Sequence, residues 1–167
     1  MGRRVFFSFH YERDIFRVNV VRNSNMVKGS IEAGYIDSSL WEEAKLKGDA
    51  AIKRMINGAL DNTSVTVVLI GQETASRPYV RYEIEQSLAR SNGLLGIYIH
   101  NISDARSFLS ALQINTQGDN PFRHVHERKG GFDIPLSYRV NCYDWINDNG
   151  YQHFGNWVEQ AARDAGR

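Results

Sequence analysis

Cys142 is the only cysteine in the chain, so no internal disulfide can form, a pattern that suits a reducing cytoplasm. Long apolar runs are missing too. The opening stretch M-G-R-R-V-F-F-S-F-H carries two arginines and then a short apolar segment, too brief for a signal peptide or a membrane span. Phe6 stands where a myristoylation motif needs Ser or Thr. Charge of one sign is equally scarce. Twenty basic against 19 acidic residues leave a net charge of +1, so no bulk field draws the chain to nucleic acid or to an anionic membrane. Neither a G-x-G-x-x-G nor a Walker loop occurs, which argues against a Rossmann dehydrogenase or a P-loop ATPase. The expectation is a cytoplasmic protein with no membrane or nucleic-acid partner.

What is present points to one α/β domain. The chain has 167 residues, 42% of them hydrophobic, enough for one sizeable core. Three near-continuous apolar runs, R-V-F-F-S-F (4–9), V-T-V-V-L-I (65–70) and L-L-G-I-Y-I-H (94–100), read as strands covered on both faces in a parallel sheet. Two weaker strands are expected in I-E-A-G-Y-I (31–36) and within R-V-N-C-Y-D-W (139–145). Between them lie helical patterns. Asp14 is placed to cap a helix bearing Ile15, Val18 and Val21. Residues 49–60 put Ile52, Met55, Ile56, Ala59 and Leu60 on one stripe. Pro78 fits a first helical turn ahead of Val80, Ile84, Ser87 and Leu88, and a last helix spans about 154–165. Alternating strands and helices predict a doubly wound, flavodoxin-like five-stranded sheet of order 2-1-3-4-5. The stretch 101–137 breaks that rhythm and reads as a partly helical excursion with loops.

In such a sheet, ligands bind at the carboxyl ends of the strands where their order reverses. The loops after strands one and three, Phe9-His10-Tyr11-Glu12 and Gly71-Gln72-Glu73-Thr74, should therefore meet in one crevice, with Ser76 to Glu83 following at once. Within that helix Arg81 and Glu85 make an ordinary exposed pair. Glu83 has no such explanation. It borders the buried stripe early in a helix, where a carboxylate is partly desolvated yet favoured by the helix dipole. Physics alone leaves two readings open, a functional acid or a boundary glutamate bonded to loop amides.

V-F-F-S-F-H-Y-E at the first strand, D-S-S-L-W-E-E-A at 37–44, V-T-V-V-L-I-G at 65–71 and Y-V-R-Y-E at 79–83 together resemble the TIR-like domains of bacteria. Those of the Thoeris anti-phage system are the most similar. The likeness runs to about Asn101 and returns weakly in N-P-F and Y-R-V-N, so it implies a single TIR-like domain over 1–167. It further implies cleavage of the nicotinamide–ribose bond of NAD as substrate, with no separate cofactor. A cyclic ADP-ribose isomer would be released as an anti-phage second messenger, reaching a partner effector through that product. The family's catalytic glutamate corresponds to Glu83. Its usual Trp-x-x-x-Glu pattern has Tyr79 at the aromatic position here. Phe9, His10 and Tyr11 are expected to line the dinucleotide pocket, and Asp37, Ser39 and Trp41 to close its other side. Homo-oligomerisation on activation fits the same likeness.

Other candidates are weaker. His10 suits a wall residue better than a base. His124 and His126 flank Val125 at a metal-like spacing without a third ligand of good type, so no metal is expected. Glu42 and Glu43 read as a solvated helix start, and Cys142 as a small buried residue. The alternative function is a non-catalytic TIR-type interaction module in which Glu83 is structural, because fold alone does not decide activity.

Overall fold

The computed structural model describes residues 2–24, 31–34, 36, 38–103 and 116–167. Asp37 and residues 104–115 of the excursion lie outside the described residues. Strand β1 (Arg3–Ser8) is followed by helix α1 (Tyr11–Arg22), β2 (Ile31–Gly34), α2 (Ser38–Lys47) and α3 (Asp49–Leu60). Next come β3 (Val65–Ile70), α4 (Pro78–Ala89) and β4 (Gly93–Tyr98). The chain then forms β5 (His126–Lys129), β6 (Phe132–Pro135), β7 (Cys142–Asp144) and the closing helix α5 (Gly150–Asp164).

The main sheet runs in the order β2-β1-β3-β4-β7, and every pairing in it is parallel. Its period-2 alternation sorts side chains to two helical layers. Val5, Phe7, Val65, Val67, Leu69, Leu95 and Ile97 pack with Val18 and Val21 of α1 and with Phe154, Val158 and Ala162 of α5. On the opposite face Val68, Ile70 and Leu94 meet Val80 and Ile84 of α4. There too, Phe6 packs on Ile52, Ile56 and Leu60 of α3. All six side chains of β3 are buried, which explains why V-T-V-V-L-I shows no alternation in the sequence. This is a mixed α/β architecture compatible with a flavodoxin-like TIR fold.

Two local expectations need correction. Helix α1 starts at Tyr11 with His10 at the cap position, and no side chain caps it. Asp14 is therefore a buried residue inside the helix, facing the loop after β3 instead of its own helix amides. Glu42 and Glu43 lie in the middle of α2, tied to Lys45 and Lys47. In the described part of the excursion, 116–137, the chain makes a 3-10 turn at Pro121–Arg123 and the antiparallel pair β5–β6. The turn Gly130–Gly131, with both residues at positive φ, is what allows so short a return.

Candidate functional site

Parallel strands deliver their carboxyl ends to one edge of the sheet, and β1 and β3 are neighbours there. Phe9, His10 and Tyr11 leave β1 and, with Trp41 of α2 and Pro78, Tyr79, Val80 and Glu83 of α4, line a cavity of about 260 Å³. A smaller void of about 30 Å³ shares Phe9, Tyr11, Trp41 and Glu83, so Glu83 borders both. The aromatic walls are held in place. Tyr79 meets Trp41 edge-on at 5.5 Å and its hydroxyl donates to Asp49 Oδ1 at 2.8 Å. The rings of Phe9 and Tyr11 lie 6.1 Å apart. Tyr79 thus supplies the aromatic contact of its position and adds an anchor to α3.

Glu83 is only 5% exposed. Its backbone explains how the chain tolerates a carboxyl there: α4 packs Val80, Ile84 and Ser87 into the core. The Ser87 hydroxyl donates to the Glu83 carbonyl at 2.7 Å and also pairs with Thr66 at 2.7 Å. These bonds fix α4 against β3. Among the described residues Glu83 Oε2 has no hydrogen-bond partner. Burial pushes its carboxyl up to about 8, a rise tempered by the nearby Ser8 hydroxyl. That hydroxyl does not complete a hydrogen bond either, so we regard its influence as a weak dipole contact. A glutamate bonded to loop amides would show the reverse, a satisfied carboxylate with a depressed pKa.

His10 is also buried, and neither ring nitrogen has a hydrogen-bond partner among the described residues. Burial, then the Arg77 charge, lowers the imidazole below its ordinary value, and Glu73 pulls it back only partly. The ring is therefore neutral at pH 7, with a donor and an acceptor to offer. Ser39 is exposed and lines neither cavity, and Asp37 lies outside the described residues. The expected crevice divides as well: Gln72 and Glu73 line an adjoining groove, not the cavity that holds Glu83.

The structure adds residues that sequence reasoning passed over. Glu12, Lys45 and Arg77 line the main cavity, with Lys45 Nζ donating to Glu12 at 2.8 Å and so joining α2 to α1. Lys45 is four residues from Trp41, one helical turn, and that spacing was a usable signal. Behind the site, burial pushes the Asp14 carboxyl up to about 6 against the pull of Arg17 and Arg13. Thr74 Oγ1 accepts from the Gly71 amide at 2.8 Å and makes a long 3.5 Å contact to Asp14 Oδ2. A Cβ on Gly71 would collide with that carboxyl. Gly71→Ala is therefore expected to destabilise the fold by about 2 kcal/mol, as an overpacked core does, read as a lower urea midpoint with an unchanged slope.

The remaining candidates do not form a second centre. Burial pushes the Cys142 thiol up to about 12, which leaves it protonated and a poor nucleophile. His124 pairs with Asp119 at 3.1 Å, and among the described residues no three His, Cys, Asp or Glu side chains converge to hold a metal ion. No helix among them is long and apolar enough to cross a membrane.

Comparison with known proteins identifies the family. The family described as "Thoeris protein ThsB, TIR-like domain" matches residues 6–104, a span from within β1 to beyond β4 that includes every cavity residue named above. The chain belongs to the ThsB TIR-like family. A relative from Bacillus cereus (strain MSX-D12), named "Putative cyclic ADP-D-ribose synthase ThsB1", is 41% identical, with 95% of this chain and 100% of the relative covered. The family match ends at residue 104, whereas the likeness to the relative covers 95% of the chain and so extends past β7.

Proposed function

We propose that this chain is an NAD-processing TIR enzyme that cleaves the nicotinamide–ribose bond and releases a cyclic ADP-ribose isomer. The product would act as an anti-phage second messenger, reaching its effector protein without direct contact. The observation that carries this reading is Glu83, a buried acid with an unpartnered oxygen on the wall of an aromatic cavity. The relative's printed name, a cyclic ADP-D-ribose synthase, supports the same chemistry. We also take the sheet as the flavodoxin-like order 2-1-3-4-5 and the chain 1–167 as one TIR-like domain.

The chemistry follows from charge. The nicotinamide ring of NAD is cationic, so it departs as a neutral base and needs no general acid. Positive charge develops instead on the ribose, as in glycoside hydrolysis. A carboxylate fixed beside that sugar, in a site poor in water, stabilises the developing charge at little reorganisation cost. Glu83 holds a proton near neutral pH, since burial pushes its carboxyl up to about 8. Entry of a cationic ring favours the ionised form, so binding readies the catalytic charge. Phe9, Tyr11, Trp41 and Tyr79 supply the apolar walls, and neutral His10 supplies hydrogen bonds to the ligand. NAD is the substrate, and no other cofactor or metal enters the reaction. Closure to a cyclic product needs a group of the freed ADP-ribose held nearer than water. Cytoplasmic NAD is the pool that such an enzyme consumes.

The test is free nicotinamide, measured after incubating purified protein with NAD and again in extracts of phage-infected cells that express it. Nicotinamide release with a product that separates chromatographically from linear ADP-ribose is the expected result. Linear ADP-ribose alone would make the enzyme a hydrolase. Silence under both conditions would leave the chain an interaction module.

A further inference from the structure

The Glu83 cavity, at about 260 Å³, falls below the roughly 300–1,000 Å³ of most small-molecule sites. A dinucleotide must extend beyond it. A groove of about 570 Å³ adjoins, and Arg77 and Pro78 line both spaces. Arg77 is exposed, and among the described residues its guanidinium has no ion pair or hydrogen bond. Nearby charges are already engaged: Glu73 with Arg13 at 3.4 Å, Glu12 with Lys45 at 2.8 Å, and Arg81 with Glu85 at 3.0 Å.

Arg77 also stands at the start of α4. Its backbone is extended, no side chain caps the helix, and the first turn holds no acidic residue. Pro78 has no N–H and the Arg81 amide bonds the Arg77 carbonyl at 3.2 Å, so the Tyr79 and Val80 amides are the open donors of that turn, at the positive end of the helix dipole. A helix end alone is not a ligand site. Here two further groups, each more than nine-tenths buried, lie on the same cavity without hydrogen-bond partners among the described residues: the His10 ring, whose Nδ1 lies 3.9 Å from Glu73, and Glu83 Oε2.

Resting on the NAD reading above, we propose that Arg77 and the open amide end of α4 hold the pyrophosphate of the dinucleotide. The nicotinamide riboside then lies inward beside Glu83, and the adenosine lies in the outer groove between the loop after β3 and His124. A guanidinium at this junction presents two N–H donors in a planar fork matched to two phosphate oxygens, a geometry an ammonium lacks.

Calorimetry of ADP on the full chain tests this apart from catalysis, because ADP carries the pyrophosphate and adenosine but no nicotinamide. Arg77→Gln should weaken ADP binding about tenfold, the loss of one charge-assisted contact. Arg77→Lys should restore part of it, and Glu83→Gln should leave it unchanged. In turnover Arg77→Gln should raise KM for NAD by about tenfold while kcat changes less than about twofold, as uniform binding predicts. Equal ADP affinity in wild type and Arg77→Gln, no ADP binding by wild type, or a fall in kcat at constant KM each overturns the proposal. Retained NAD cleavage in Glu83→Gln would instead sink the catalytic reading, and the ADP comparison would still decide Arg77.

Discussion

Replacing Glu83 with Gln should abolish NAD cleavage and stabilise the fold. Loss of an electrostatic stabiliser of this kind lowers kcat/KM by about a thousandfold. The stability gain has a separate origin. Glu83 has a folded-state pKa raised from 4.5 to about 8 by burial. Between those values the native protein keeps a proton that the unfolded chain has released, so stability falls as pH rises. The contribution is fully present below about 4.5, declines through neutral pH, and is gone above about 8. Gln carries no charge to desolvate, so the variant should escape this decline. At pH 7 it should be more stable by about 2 kcal/mol, after allowing for a buried amide with poor partners. Urea titrations of both proteins from pH 4 to 9 measure the difference. Asp14, also raised by burial, to about 6, titrates in both proteins and cancels. A variant less stable than wild type at pH 8, with NAD turnover intact, would mark Glu83 as a structural residue.

That trade between stability and activity was legible only in part from the sequence. The three long strands and α3 could be read because continuous apolar runs and a 3.6-residue stripe are local signals. Strand β7 has three residues, and its place comes from pairing with β4, which no local window reveals. The start of α1 was misjudged for the same reason. Asp14 has the side chain of a helix cap, but its burial against Gly71 and Thr74 is decided by the loop after β3, more than fifty residues away in sequence.

The site shows the same division. Glu83 stood out because its neighbours on the helix offered it no partner, and the structure leaves Oε2 without one. Phe9, His10, Tyr11, Trp41 and Tyr79 converge on the same cavity because parallel strands bring their trailing loops to one edge. Ser39 shared a motif with Trp41 yet faces solvent. It lies two residues away on α2, and on a helix that separation points to a different side. Arg77 escaped notice because the sequence does not show that two spaces meet at the start of α4. The sequence contained the candidate acid, and the structure adds the groove that shares Arg77 and Pro78 with its cavity.

The acid limb of the pH–rate profile should follow the same carboxyl. If ionised Glu83 is the working form, kcat/KM for NAD reports the free enzyme and should fall about tenfold per unit as pH drops below about 8. At pH 6 it should lie about a hundredfold below its plateau. The profile of kcat should bend at lower pH, because the bound nicotinamide cation favours the carboxylate. His10 does not add to this limb near neutrality, since burial and Arg77 keep its pKa below the ordinary 6.5. Ultraviolet circular dichroism at each pH confirms that the fold is intact while rates are taken. Binding of a non-cleavable NAD analogue at pH 7 should also release a proton, detected as a dependence of binding heat on buffer ionisation enthalpy. A kcat/KM flat from pH 6 to 9, with no proton released on binding, would show that the buried carboxyl does not change charge during the reaction, and the stabilising role assigned to it would fall.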